Sequence, residues 1–140
     1  MPIDKNLVNR KITLMNNDLK SLKTLSKLSL KTYLSKSEYE ALAERYLERI
    51  IGRMIDINYH ILSEKENEIP IDFYSSFIKL GRKKYLPAAL AESMANSAGL
   101  RNRLAHEYDD VDPKKVFQSI EVCLKDVPKY LKNIVKSLNL

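Results

Sequence analysis

The residues best suited to chemistry lie in one short stretch, Leu100 to Asp110, which reads LRNRLAHEYDD. Between Arg101 and Tyr108 it holds one of the two histidines of the chain, two arginines and a tyrosine. Near neutral pH an imidazole can take the proton of a ribose 2′-hydroxyl or protonate a leaving 5′-oxygen. A guanidinium can hold a phosphate at two points and offset the charge that grows in the transition state, and a tyrosine can stack on a base. The combination suits cleavage of RNA without a metal ion.

Helix periodicity separates two of these groups. At about 100° per residue, Arg101 and His106 point about 140° apart, so a single regular helix does not turn both toward one phosphate. Asn102 and Arg103 precede His106 by four and three residues and are therefore its neighbours. Either the helix is distorted, or a two-fold dimer brings two copies of the stretch face to face. A further interpretation is a polar network between helices that has no catalytic role.

Composition limits the remaining possibilities. The 140 residues fit a single domain over residues 1–140. Three glycines and one cysteine argue against a glycine-cradled nucleotide fold, an internal disulfide framework and a cysteine-rich zinc site. The net charge of +6 favours a polyanionic partner. No apolar run reaches the roughly 18 residues of a membrane span and no signal-peptide core is visible, so we expect no membrane association and a cytoplasmic location.

Nearly the whole chain has hydrophobic residues at helical spacing, which predicts an all-α, antiparallel bundle of about five helices. The first helix is predicted to begin after Asp4, which can cap it, and to end at about Leu34. Ser37 and Glu40 form a capping-box pattern, which predicts the start of a second helix that ends near Ser63.

The second half of the chain predicts three more helices. A short third helix is expected within Asp72–Gly81, capped by its aspartate, and a fourth within Pro87–Tyr108, which carries the polar stretch. The pair Asp112–Pro113 predicts the start of the last helix. Pro128 lies inside that helix and removes a backbone donor, which predicts a kink or a break before it.

The other polar residues receive structural interpretations. His60 is expected to be a structural hydrogen-bonding residue, and Cys123 falls on an apolar stripe and is expected to be buried and inert. The acidic segment Asp109–Asp112 lacks the ligand-dense loop of a calcium site, so we expect no metal there and a cap for the next helix instead. The run Arg82–Lys84 is interpreted as a solvated connection, with contact to a phosphate backbone as the alternative.

The spacing of Arg101, His106 and Tyr108 resembles the R-x4-H-x-Y motif of the HEPN superfamily, which also has a polar residue directly after the arginine. The segments Tyr46–Ile61, Pro70–Leu80 and Met94–Tyr108 resemble the HepT-like branch of that superfamily. The similarity covers roughly residues 35–120, whereas the first helix matches only in its pattern.

This resemblance implies a dimeric, metal-independent endoribonuclease, without a cofactor, that is the toxin of a type VII-like toxin–antitoxin system. It implies that Arg101 binds or stabilises the scissile phosphate, that His106 is the acid or base, and that Asn102 assists. Arg103 would add phosphate affinity. The implied partner, besides RNA, is an MntA-like nucleotidyltransferase antitoxin, with Tyr108 as the target of AMP transfer. AMP on this tyrosine would add bulk and negative charge where the RNA phosphate should lie.

The sequence leaves two other functions open. One is a non-catalytic helical partner of a minimal nucleotidyltransferase, in which the motif binds nucleotide; a ribonuclease assay separates it from the toxin. The other is a structural helical protein with no nucleic-acid role, which an absence of salt-sensitive RNA binding would favour.

Overall fold

The part of the chain that the computed structural model describes, residues 2–106 and 111–140, forms helices joined by short connections. The helices are α1 (Lys5–Ser26), α2 (Leu30–Leu34), α3 (Ser37–Glu66), α4 (Phe73–Arg82), α5 (Ala88–His106) and α6 (Pro113–Leu138). The predicted all-α fold class is confirmed. None of the described helices is long and apolar enough to cross a membrane.

The central element of the core is α3, a helix of 30 residues that packs against each of the other five. Its buried side chains recur on more than one face, which is why neighbours can surround it. They are Ala43, Leu47, Ile50, Ile51, Met54, Ile55, Ile57, Asn58, Ile61 and Leu62.

A buried ion pair fixes α1 against α3. The Asp18 side chain is only 5% exposed, and its two oxygens lie 3.0 Å from Arg49 Nη2 and 2.7 Å from Arg53 Nη1. A carboxylate taken out of water needs such charge-assisted partners to offset its desolvation. The pair therefore sets how α1 lies along the central helix.

Close approach of α4 and α5 depends on a glycine. A Cβ atom added at Gly81 would lie 2.7 Å from the Cβ atom of Ala91, which is too short for any real contact. A side chain at this position would push the two helices apart. The approach matters for the polar stretch, because α4 supplies the surface against which the C-terminal part of α5 lies.

Three predicted N-caps are confirmed. Asp4, Asp72 and Asp112 each accept a hydrogen bond from a backbone amide two or three residues further on. The capping box at the start of α3 was wrong. Ser37 is already the first helical residue, and Lys36 occupies the cap position without a side-chain hydrogen bond.

Two other boundaries differ from the expectations. The predicted first helix is divided, because Ser29 starts the separate helix α2 by accepting a hydrogen bond from the Thr32 amide at 3.1 Å. The described part of the chain therefore has six helices rather than about five. Of the kink or break predicted before Pro128, the break was wrong, since α6 runs through this exposed proline while Val127 and Tyr130 beside it are buried in the core. Packing on the buried face holds the helix together across the missing bond.

Candidate active site

The polar stretch forms the last two turns of α5, which is a continuous α-helix up to His106. His106 and Asn102 are exposed on one side of the helix, and Arg101 lies about 140° from His106. A distortion of the helix that would bring Arg101 and His106 together is absent through residue 106. Within one copy of the chain, the two groups therefore flank the helix rather than converge.

Arg101 is half-buried where α5 meets α4. Its guanidinium carbon lies 5.5 Å from the centroid of the Phe73 ring, a cation–π contact. Its Nε atom is buried and has no hydrogen-bond partner among the described residues. No carboxylate in residues 2–106 or 111–140 forms an ion pair with it either. Within the described residues, the Arg101 guanidinium thus has an unused donor and no counter-charge, which is the condition of a group that can bind an anion.

Phe73 is held in place from two sides. It is the first residue of α4, directly after the Asp72 cap, and its ring meets the edge of the Tyr59 ring at 6.1 Å between centroids. Hydrogen bonds from the Ser75 side chain and from its backbone amide hold the pKa of the Asp72 carboxyl below its usual value. The cap is therefore charged at neutral pH, as an N-cap at the positive end of a helix should be.

A buried chain of hydrogen bonds connects the start of α4 to α3 and α6. The Tyr130 hydroxyl donates to Asn58 Oδ1 at 2.6 Å, and Asn58 Nδ2 donates to Ser76 Oγ at 3.1 Å. The Ser76 hydroxyl in turn donates to the Phe73 carbonyl oxygen at 2.7 Å. Burial holds the pKa of Tyr130 far above its usual value, so the hydroxyl stays a donor. This network fixes the backbone at the start of α4, which carries the Phe73 ring that Arg101 contacts.

Arg103 points to the other side of α5. It lines a cavity of about 200 Å³ between α3, α5 and α6 whose walls include Ile51, Met94 and Val122. Its Nη1 atom lies 3.5 Å from the place that a Cβ atom on Gly99 would occupy, so the side chain folds back along the helix. Since Arg101 and Arg103 are about 200° apart, they do not share one surface.

The prediction for Tyr108 falls on residues 107–110, which lie outside the described residues. Asp109 and Asp110 lie outside them as well, whereas Asp112 caps α6 as expected. Within the described ranges, no group of three or more metal-ligating side chains could hold a metal ion.

The structural interpretations of two other residues are confirmed. The backbone N–H of Asp4 donates to His60 Nε2 at 3.0 Å, so this histidine ties the start of α1 to α3. Cys123 is buried, and burial, followed by the charge of Asp126, raises the pKa of its thiol to about 12. In the predicted connection Arg82–Lys84, Lys83 lies 3.4 Å from a Glu68 oxygen.

Sequence reasoning missed Phe73 and the residues that hold it. Twenty-eight positions separate Phe73 from Arg101, and no local pattern links residues so far apart. The only signal was the Asp72 cap, which placed Phe73 at the start of a helix but not beside α5.

The chain is similar over most of its length to a group of helical nucleases. A family model described as Ribonuclease HepT-like matches residues 15–134. The tRNA nuclease HepT of Aphanizomenon flos-aquae is 39% identical over 132 residues, which cover 94% of this chain and 90% of that protein. The mRNA nuclease HepT of Shewanella oneidensis is 25% identical over 91 residues, 65% of this chain and 68% of that one.

A solved structure shares the fold. The tri-AMPylated Shewanella oneidensis HEPN toxin, in complex with MNT antitoxin, superposes with a TM-score of 0.86 at 20% sequence identity. The match covers 94% of this chain and 98% of that chain.

Proposed function

The chain belongs to the HepT-like ribonuclease family, and from this membership we propose that it is the ribonuclease toxin of a toxin–antitoxin pair. We propose that it works in the cytoplasm as a homodimer and cuts RNA internally without a metal ion. The observation that carries the site assignment is Arg101, a half-buried guanidinium that rests on Phe73 and has neither a carboxylate nor an acceptor for its Nε among the described residues. A phosphodiester is the anion that a ribonuclease would place there.

The proposed chemistry uses two groups of the motif. His106 takes the proton of the ribose 2′-hydroxyl, and the 2′-oxygen forms a bond to phosphorus. The bond from phosphorus to the 5′-oxygen breaks, and this oxygen takes a proton from water. The products are a 2′,3′-cyclic phosphate and a 5′-hydroxyl. Arg101 binds the phosphate oxygens as their charge grows, and Asn102 and Arg103, which neighbour His106 on its side of the helix, add contacts to the strand from that side.

Two copies of the chain solve the geometric problem of the site. Because Arg101 and His106 flank one regular helix, we propose that the arginine of one copy and the histidine of the other meet at one phosphate. A two-fold axis that places two α5 ends face to face produces two such sites. The exposure of His106 at the end of α5 supports this arrangement, since its side chain is accessible to a second copy.

The proposed partner is a nucleotidyltransferase antitoxin of the MntA type. It would transfer AMP to Tyr108: the tyrosine oxygen bonds to the α-phosphorus of ATP, and pyrophosphate leaves. The added phosphate would repel the RNA backbone beside Arg101 and His106. The AMPylated HEPN toxin that shares this fold supports the proposal by likeness.

The non-catalytic alternative, a helical subunit that only binds nucleotide, is less favoured. Both relatives named above are nucleases, and one of them aligns with 94% of this chain. The same likeness disfavours a purely structural role.

A pair of histidine variants tests the proposal. We expect the wild type to cut RNA in the presence of a chelator and to leave cyclic phosphate ends. His106→Ala should lower the rate by about 10²–10⁴-fold, the range of general acid–base catalysis. His60→Ala is the matched control, because it removes the other histidine, whose contact is the Asp4 amide. Cleavage by His106→Ala at the wild-type rate would refute the assignment.

A further inference from the structure

One face of α6 carries a row of four exposed lysines, Lys125, Lys129, Lys132 and Lys136. We call this set the α6 lysine row. The positions are separated by four, three and four residues, so they fall within about 60° around the helix and extend over about 16 Å along it. A row of this kind presents a line of positive charge rather than a scattered pattern.

The row forms one wall of an open groove of about 670 Å³. The opposite wall is the beginning of α5, where Ala89, Leu90 and Ser93 line the groove with small or apolar side chains. These residues leave space for an extended chain to lie beside the lysines.

The groove leads toward the motif. Ser93 lines both the groove and the adjoining cavity, and Arg103 lines that cavity at its other side. From Ser93 to His106 the helix α5 rises by about 20 Å. An RNA strand that lies along the row would therefore need to extend about 20 Å further, past Arg103, to reach the end of α5.

The charge of the row is not neutralised within the described part of the chain. None of the four lysines forms an ion pair there, whereas Lys11 pairs with Asp56, and Lys79 and Lys83 pair with Glu68. The groove contains one carboxylate, Asp126, which is 9% exposed and accepts a hydrogen bond from the Ser93 hydroxyl at 2.8 Å. The groove thus keeps an excess of positive charge.

We propose that the α6 lysine row binds the phosphate backbone of the RNA substrate outside the cleavage site and guides the strand to Arg101 and His106. This inference rests on the proposed ribonuclease function. Lysine contacts to phosphates release counterions and give affinity that does not depend on sequence. An acidic protein is a poorer fit, because the centres of protein interfaces are depleted of lysine and enriched in aromatic residues, and no aromatic side chain lines this groove.

A binding experiment with a charge-matched control tests the row. One variant carries K125Q, K129Q, K132Q and K136Q, and the control carries K20Q, K23Q, K27Q and K31Q, four exposed lysines of the first two helices and their connection. Both lose four charges, and glutamine keeps the helix propensity of lysine. Both are made in the His106→Ala protein, so that a single-stranded 20-nucleotide RNA stays intact while its dissociation constant is measured at several salt concentrations.

We expect a change of salt dependence in the row variant alone. The slope of log affinity against log salt should become shallower by about 3, since each of four contacts contributes about 0.7 on a single strand. Affinity at 0.1 M salt should fall by more than tenfold, and the control should stay close to the parent protein. In active proteins with His106, the row variant should raise KM for the 20-nucleotide RNA far more than for a trinucleotide, which is too short to reach the groove.

The outcomes separate this inference from the function on which it rests. If the wild type cuts RNA but the row variant matches the control in affinity, slope and KM, the inference is overturned and the ribonuclease function stands. If the row variant binds RNA normally but loses affinity for the nucleotidyltransferase antitoxin, the row is a protein-docking surface and the inference is again overturned. If the wild type cuts no RNA, the proposed function fails first.

Discussion

Replacing Phe73 by leucine removes the aromatic face under Arg101 and keeps most of the apolar volume. In the wild type the guanidinium carbon lies 5.5 Å from the ring centroid, inside the distance of about 6 Å at which a cation is attracted to a ring. Leucine has no such face. The half-buried guanidinium then loses the contact that holds it, and we expect it to sample orientations that do not meet the phosphate.

The size of the effect follows from that contact. A cation–π pair at a partly desolvated site is worth about 1–2 kcal/mol. This energy keeps the Arg101 guanidinium oriented toward the phosphate in the transition state, so its loss should lower kcat/KM by roughly 5–30-fold. The same substitution removes the edge contact with Tyr59, which lowers the free energy of unfolding by about 0.5–1.5 kcal/mol. Activity is therefore measured well below the melting temperature.

Two further variants make the result specific. Phe117→Leu is the matched control, because this half-buried phenylalanine also has one aromatic partner, Tyr33, at 4.6 Å between centroids. It should lose a similar amount of stability and cleave RNA like the wild type. Phe73→Tyr keeps the ring face and should retain activity. The reasoning is refuted if Phe73→Leu cleaves as fast as the wild type, or if Phe117→Leu is equally impaired.

Other predictions concern the fold that positions the site. Asp18→Ala should lower the free energy of unfolding by about 1.5–3 kcal/mol, because it removes the charge-assisted hydrogen bonds of Asp18 to two arginines that are themselves partly exposed. Asp56→Ala removes an exposed pair and should cost less than about 1 kcal/mol, and urea denaturation measures both. Gly81→Ala should lower the free energy of unfolding by about 1–3 kcal/mol through its clash with α5. Gly52→Ala, where a Cβ atom meets nothing within 4 Å, should raise it by up to about 1 kcal/mol. Equal effects of the two variants in thermal melts would contradict this. Because the folded pKa of Asp72 is lowered, its cap contributes stability above the unfolded pKa and loses it as pH falls through the folded pKa. The protection factors of the α4 amides, which are exchange rates corrected for the intrinsic effect of pH, should therefore fall in acid in the wild type but not in Asp72→Asn, whose cap does not titrate.

Local rules succeeded where the side chain and its partner are neighbours in sequence. Asp4, Asp72 and Asp112 cap the helices that follow them, as expected, because an N-cap needs only a backbone amide two or three residues away. The capping-box pattern at Ser37 failed because the helix begins one residue earlier than that pattern requires. The break that divides α1 from α2 depends on Ser29, one of several serines in that region that were equally plausible caps.

In the candidate site too, local sequence rules predict some features, and tertiary contacts determine the others. The separation of Arg101 and His106 around α5 follows from helix periodicity alone, and the regular helix up to residue 106 agrees with it. The position of Arg101 does not follow from the sequence, because it depends on tertiary contacts between four helices. Phe73 contacts the guanidinium, and Asn58 and Tyr130 hold the start of the helix that carries Phe73. Pro128 shows the same limit, since packing of the buried face of α6 overrides the local preference for a break.

Mixing two inactive variants tests most directly whether Arg101 and His106 act on one phosphate from two copies of the chain. Arg101→Ala and His106→Ala are purified separately, shown to be inactive, then unfolded together and refolded so that mixed dimers form. A mixed dimer contains one site with both groups intact if the arginine and histidine come from different copies, so an equal mixture should recover about a quarter of wild-type cleavage. Cleavage that stays at the level of the separate variants, although mixed dimers are detected by mass, would contradict the shared site.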